Sequence, residues 1–315
     1  MIRLGIIGFG KIARDAHVPA LQAVGGYELK AVVTRAGCEQ DGVRCFDTAD
    51  AMLAAVGGEL DAVAISTPPG PRYAVARQCL EAGLDCLLEK PPATTLGEIE
   101  ELRDYAERSN RVLFTTWHSQ HAAAVDQARD LLAGQRIKAL SICWHEDVNK
   151  YHPGQDWVWE AEGFGVFDPG INALSIASLI MPGKLIVESA TLRVPANRQQ
   201  PIVVRLGLSS PAADGPLSAV FDWCPAVQDE WSISVKTAAG QQIDLKQGGA
   251  ELLIDGRPEL AQGAGEYPSI YAEFAKLVAE RRSHVDIEPL RLVADAMMVG
   301  RREAAPPFEW RAQTS

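Results

Sequence analysis

The residues best suited by type and spacing to chemistry begin with two glycines. Gly8-Phe9-Gly10-Lys11-Ile12-Ala13 reads G-x-G-x-x-A and follows directly on the apolar run Ile2 to Ile7. In a strand–turn–helix context the first glycine permits the tight turn and the second lets backbone approach a pyrophosphate. The small Ala13 then allows close packing of helix on strand. Lys11 and Ile12 open the helix, whose free amides and dipole favour an anion at this end. The chemistry predicted is binding of a dinucleotide. The next apolar run, Leu29 to Val33, ends in Thr34 and Arg35, where a site for NAD would place an acid to accept from ribose hydroxyls. An Arg with no acid beside it can pair with a 2′-phosphate and stack on adenine, which points to NADP. NAD stays open if Glu39 or Asp41 takes the ribose instead.

Two further apolar runs end in Ser66-Thr67-Pro68-Pro69 and in Glu89-Lys90-Pro91-Pro92. Ligands bind at the carboxyl ends of parallel strands, so Thr67, Pro68 and Glu89 are expected beside the cofactor. Lys90 there is a candidate orienting or catalytic ammonium, or a solvated surface lysine. Asp168 and Asn172 stand four apart at the start of a helical pattern, so their side chains share a face and can reach one ligand. Asp168 before Pro169 is also what an N-cap followed by a first helical residue looks like.

The elements that must position these groups change character along the chain. Up to about residue 120, strand-length runs at Ile2 to Ile7, Leu29 to Val33, Ala62 to Ser66, Cys86 to Leu88 and Val112 to Phe114 alternate with helical patterns. Those patterns are Ala49 to Val56, Tyr73 to Ala82 and Leu96 to Ser109. The alternation implies βαβ units and a parallel sheet, a Rossmann domain over 1–120. Pro19 predicts a break in the first helix between Asp15 and Pro19. Beyond, strands follow one another at Ala139 to Trp144, Val187 to Val194, Ile202 to Leu208, Ser218 to Trp223, Trp231 to Thr237 and Gln242 to Leu245. That texture predicts an α+β domain over 121–315 with a large, mostly antiparallel open sheet. Helices at Asp168 to Ile180, Tyr267 to Glu280 and Pro289 to Arg301 would cover one side of it.

Composition narrows the partners. Hydrophobic residues at 47% and charged residues at 23% match an ordinary globular chain, and 315 residues suit two domains. A net charge of −11 and the lack of any Lys/Arg-rich run argue against nucleic acid. No apolar run reaches the ~18 residues that span a bilayer, and a strand begins within two residues of Met1, so a cytoplasmic protein is expected. The six cysteines form no C-x-x-C pair, which predicts reduced thiols and no metal site.

Taken together, GFGKIA, STPP, AGLDCLLEKPP and the helix at Asp168 resemble the Gfo/Idh/MocA oxidoreductase family, over essentially the whole chain. More narrowly, His145-Glu146-Asp147, HPGQDWVW from His152, GVFDPGINALSI from Gly165 and EPLRLVADAMMVGRR from Glu288 are similar to a group within it, the bacterial D-galactose and L-arabinose 1-dehydrogenases. The resemblance implies a dinucleotide held by the first domain and an aldose held against the sheet face of the second. It implies a homodimer formed through an exposed sheet face. Lys90 matches the family's catalytic lysine. Many members carry D-x-x-x-H, with His as base; here Asn172 replaces that His, and an amide takes up no proton near neutral pH.

The resemblance thus implies oxidation of an aldose at C1 to the aldonolactone. Asp168 would accept the C1 hydroxyl proton, Lys90 would position that oxygen and Asn172 would bond the sugar, with Lys90 itself the alternative proton acceptor. His118, Glu146, His152 and Trp231 are the further candidates for holding the sugar: a carboxylate accepts from adjacent hydroxyls and an indole packs on a pyranose face. His118 and Trp231 can equally be core residues and Glu146 a sheet-surface charge. Trp157 and Trp159 would form a lid or pack in the core. The alternatives to this function are another oxidoreductase of the family, acting on an inositol or a different ring carbon, and a non-catalytic dinucleotide sensor.

Overall fold

The computed structural model describes residues 1–37, 42–225, 227–261 and 263–311. Glu39 and Asp41, the alternative ribose acceptors, lie outside the described residues, as does Cys38. The chain forms two compact units, Met1–His118 with Ala264–Ile287, and Ser119–Gly263 with Glu288–Ser315.

The first unit is a parallel sheet of β1 (Ile2–Ile7), β2 (Tyr27–Val33), β3 (Arg44–Phe46), β4 (Ala62–Ile65), β5 (Asp85–Leu88) and β6 (Leu113–Thr115), in the order β3-β2-β1-β4-β5-β6. This is the doubly wound order, whose direction of winding reverses between β1 and β4. All four residues of β4 and of β5 are buried, as strands covered on both faces must be. The helix Leu96–Arg108 starts where Thr95 and Glu98 form a reciprocal capping box. β3 was not expected from the sequence: three residues at the sheet edge carry too little pattern to register.

Two expectations change here. The first helix does not break before Pro19. A π-helical turn, Ala13–His17, runs straight into the α-helix Val18–Val24, with the Val18 N–H bonding to the Ala13 carbonyl. The extra residue in that turn widens it and relieves the clash a proline ring makes with the preceding turn. Secondly, the helix Glu266–Glu280 does not cover the second sheet. Its Tyr267, Ile270, Tyr271, Phe274 and Leu277 join Leu4, Ile6, Leu87 and Phe114 in the core of the first unit. Amphipathic spacing shows that a helix buries one face; it does not show which core receives it.

The second unit carries a nine-stranded mixed sheet of β7 (Ile137–His145), β8 (Ile186–Pro195), β9 (Val203–Ser209), β10 (Leu217–Asp222), β11 (Glu230–Thr237), β12 (Gln242–Lys246), β13 (Glu251–Ile254), β14 (Arg257–Glu259) and β15 (Arg301–Ala305). Only β10 with β7 and β15 with β8 pair in parallel. Along β7, Leu140, Ile142 and Trp144 are buried and alternate with the less buried Ser141, Cys143 and His145. The helix Phe167–Ile180 lies on the buried face, so close that a Cβ on Gly170 would meet the Phe221 ring at 2.8 Å. Among the described residues no helix is long and apolar enough to cross a membrane. Cys79, Cys86, Cys143 and Cys224 are free thiols, but Cys45 is disulfide-bonded, which corrects the expectation of reduced thiols for that residue.

Candidate active site

The glycine loop takes its shape from β1 and its neighbours. Gly8 and Phe9 donate their N–H groups to the Val33 carbonyl at 3.1 and 2.9 Å, and Ser66 N–H bonds to the Ile7 carbonyl at 2.8 Å. Gly8 has φ +89°, and a Cβ there would meet Ser66 and Thr67 backbone at 2.7 Å. No other residue fits. Gly10 differs: a Cβ would meet nothing of the protein nearer than the Gly8 carbonyl at 4.0 Å. The space over Gly10 is open, as it must be if a pyrophosphate comes down on the backbone.

That loop borders a cavity of about 420 Å³, lined also by Thr34, Arg35, Thr67 and Pro68. Six of the expected cofactor residues therefore meet at one cavity. The Thr67 hydroxyl, shielded from solvent, has no hydrogen-bond partner among the described residues. Lys11 and Ile12 do not line the cavity; Lys11 pairs with Asp15 at the surface, and Ile12 is exposed. Two charged lining residues were not foreseen. Arg14, one helical turn past Gly10, lies over the Phe9 ring, and Asp47 follows β3. Arg14 and Arg35 against Asp47 leave the wall with an excess of positive charge, which suits a phosphorylated ligand.

Glu89 and Lys90, at the end of β5, are held by a buried polar network within the same unit. Glu89 is 4% exposed. Its Oε1 accepts from the Tyr267 hydroxyl at 2.8 Å and faces His17 Nε2 at 3.1 Å, while its Oε2 accepts the Lys90 N–H at 3.0 Å. Burial alone would push the Glu89 carboxyl up, but His17, the charge of His118 and the Tyr267 hydroxyl together bring it down to about 2. His17 in turn bonds Tyr271 through Nδ1 at 2.7 Å. Arg72, buried in the helix Pro69–Glu81, donates to the carbonyls of Thr67, Glu89 and Pro91, and so ties together the loops that follow β4 and β5. His118 pairs with Glu266 at 2.9 Å over the Tyr267 ring. Burial opposes its protonation, yet Glu266 raises its pKa above the ordinary value.

In the second unit the residues after β7 and at the start of the helix Phe167–Ile180 converge. Glu146, 7% exposed, accepts from the indole N–H of Trp223 at 3.1 Å with one oxygen and from that of Trp231 at 3.2 Å with the other. It is not a sheet-surface charge. Trp223 also meets the His152 ring edge-on at 5.0 Å, and His152 Nε2 lies 3.4 Å from Asp168 Oδ2. Glu146, Trp231, His152 and Asp168 are thus joined through Trp223. Asp168 is not the N-cap of its helix, because Val166 holds that position. Asn172 follows one turn later, half-buried, and its carboxamide has no hydrogen-bond partner among the described residues. Trp159 is buried against Trp223 and Phe308, so it is core and not lid. Trp157 bonds Gln155 and leans on His152.

The sequence missed Trp223, Arg72, Arg14 and His17. Trp223 and Arg72 act through partners distant in the chain, and no local spacing marks them. His17 and Arg14 sit on the face of the first helix that follows the glycine loop, a position that could have drawn notice.

Comparison with known proteins identifies the family and the fold. Residues 2–117 match the model of the GFO_IDH_MocA oxidoreductase family, NAD-binding Rossmann fold. The chain is 42% identical over 307 residues to galactose 1-dehydrogenase of Pseudomonas fluorescens, covering 98% of each chain. Its structure superposes on that of D-galactose-1-dehydrogenase protein from Rhizobium etli with a TM-score of 0.91, 42% identity and 98% of each chain covered. A 3-ketoreductase from Actinomadura kijaniata in complex with NADP and TDP-benzene aligns with a TM-score of 0.79 over 97% of this chain and 99% of its own. At 19% identity that likeness concerns the fold alone.

Proposed function

The chain belongs to the Gfo/Idh/MocA oxidoreductase family, and from that premise we propose that it oxidises an aldose at C1 to the aldonolactone, with D-galactose its first substrate. L-Arabinose is the second. In pyranose form the two differ by the C5 hydroxymethyl group, and discrimination by one small group amounts to about 10 to 200-fold. The observation that carries this reading is the second-unit cluster. Asp168, 4% exposed and opposite His152, sits one turn from Asn172, while Glu146 is fixed by two indoles.

Asp168 accepts the proton of the C1 hydroxyl, and His152 holds the carboxylate in place. Lys90 donates to the C1 oxygen and orients it; it is the alternative proton acceptor. Asn172 and Glu146 hydrogen-bond ring hydroxyls, Trp231 offers its indole face to the apolar side of the pyranose, and His118 completes the set. A bound nicotinamide supplies the acceptor for the hydride that leaves C1. Gly8, Gly10, Thr34, Arg35, Thr67 and Pro68 hold that dinucleotide, with Glu89 beside its nicotinamide end, and Arg35 with Arg14 favours NADP over NAD. We extend the proposal to a cytoplasmic enzyme, although among the described cysteines Cys45 is disulfide-bonded while Cys79, Cys86, Cys143 and Cys224 are free, and to a homodimer.

The test is a spectrophotometric assay of nicotinamide reduction with D-galactose, L-arabinose and myo-inositol, each with NADP and NAD, followed by identification of the product. Turnover of galactose to a lactone that hydrolyses to the aldonic acid is expected. Activity on inositol alone, a keto-sugar product, or binding without turnover would each overturn the reading.

A further inference from the structure

The outer face of the second sheet carries a cluster that the reaction above does not use. Trp144 is in register with Phe221, which packs on the helix Phe167–Ile180, so Cys143 and His145 point to the opposite face of the sheet. Glu230 is the cross-strand partner of His145, and Ser232 that of Cys143, so all four side chains share that face. The Cys143 Sγ lies 3.3 and 3.5 Å from the two ring nitrogens of His145. A sulfur, a ring nitrogen and a carboxylate oxygen from Cys143, His145 and Glu230 all fall within 4.8 Å of one another.

We propose that Cys143, His145 and Glu230 bind one borderline-soft divalent cation of the Zn²⁺ class. Tetrahedral zinc with sulfur at about 2.3 Å and nitrogen at about 2.0–2.1 Å separates those two ligands by about 3.5 Å, close to the spacing present before any ion enters. Thiolate and carboxylate together neutralise a dication. The mixture of sulfur, nitrogen and oxygen excludes Mg²⁺ and Ca²⁺, which take oxygen ligands, and suits zinc. Ser232 Oγ donates to Glu230 Oε1 at 2.8 Å, an outer-shell bond that orients the carboxylate and leaves Oε2 to ligate. Three protein ligands leave a fourth position for water. Because Glu146 follows His145 and Trp231 follows Glu230, the ion would pin together the two strand ends from which the Glu146–Trp231 hydrogen bond is made.

The C-x-H spacing on one strand is no zinc motif by itself, and the absence of any C-x-x-C pair predicts no metal. Only strand pairing brings Glu230 to it.

The experiment uses the full-length, chelator-treated protein titrated first with Co²⁺ and then with Zn²⁺. One Co²⁺ per chain is expected, with a thiolate-to-metal charge-transfer band that Zn²⁺ abolishes by displacement, and Zn²⁺ should raise the melting temperature. C143S should lose the band, and H145N and E230Q should weaken binding by at least about 10-fold. C224S, on the neighbouring half-buried thiol, should keep both band and affinity. Absence of the band and of Zn²⁺ uptake in the unaltered chain would overturn the proposal. So would unchanged affinity in H145N and E230Q, or loss of the band in C224S. If C143S does not fold, H145N and E230Q decide.

Discussion

His152 and Asp168 face each other across 3.4 Å, Nε2 to Oδ2, with the carboxylate nearly sealed from solvent. The pair gives Asp168 a fixed orientation that an N-cap role would not require. Replacing Asp168 by Ala or Asn should lower kcat by about 10²-fold or more, the usual effect of removing a general base. His152→Asn, which leaves the carboxylate in place but unheld, should lower kcat less. Steady-state kinetics on all three variants checks this; near-normal turnover in Asp168→Asn would exclude it as the base.

Gly8 and Gly10 should respond to the same substitution in opposite ways. At Gly8, with φ +89° and backbone 2.7 Å from a new Cβ, Ala should cost about 1–3 kcal/mol of stability or prevent folding. At Gly10 the protein leaves room, so Ala should leave stability within about 0.5 kcal/mol and weaken dinucleotide binding instead. Urea unfolding and dinucleotide titration separate the two effects.

Arg35 lines the cavity beside Thr34, and its worth should depend on the 2′-phosphate. Arg35→Ala should raise the KM for NADP by about 10 to 100-fold, the loss of one or two charge-assisted hydrogen bonds, and leave the KM for NAD nearly unchanged. Equal effects on both cofactors would remove Arg35 from 2′-phosphate recognition.

Glu89 makes stability depend on acid. Its carboxyl is lowered from 4.5 to about 2 in the folded chain, so the folded state favours the ionised form. That contribution is complete above about pH 4.5 and declines as pH falls toward about 2. The stability advantage of the unaltered chain over Glu89→Gln, measured by urea unfolding at a series of pH values, should therefore be constant at pH 5–7 and shrink at about pH 3. A difference that grows on acidification would contradict the His17 and Tyr267 assignment.

Local pattern was enough for the parallel sheet and its glycine loop. Alternating strand and helix periods, and a G-x-G-x-x-A run between the first of them, depend on residues close in sequence, and the helix Ala49–Val56 has the limits its spacing predicts. The edge strands β3, β14 and β15 and the short β13 beside β14 escaped, because so few residues, several of them charged, carry no apolar run or clear alternation. The π-helical turn before Pro19 escaped too: proline forbids a regular helix there but does not say whether the chain breaks or widens.

The sequence by itself determined the dinucleotide-binding fold of the first unit, and it offered Lys90, Asp168 and Asn172 as candidates through motifs that span only a few positions each. Only the tertiary structure decided that Asp168 faces His152, that Glu146 is gripped by Trp223 and Trp231, and that the helix Glu266–Glu280 serves the first core. Those relationships join residues from sixteen to more than two hundred positions apart. They are set by which surfaces pack together, a choice that depends on the whole chain and leaves no local trace.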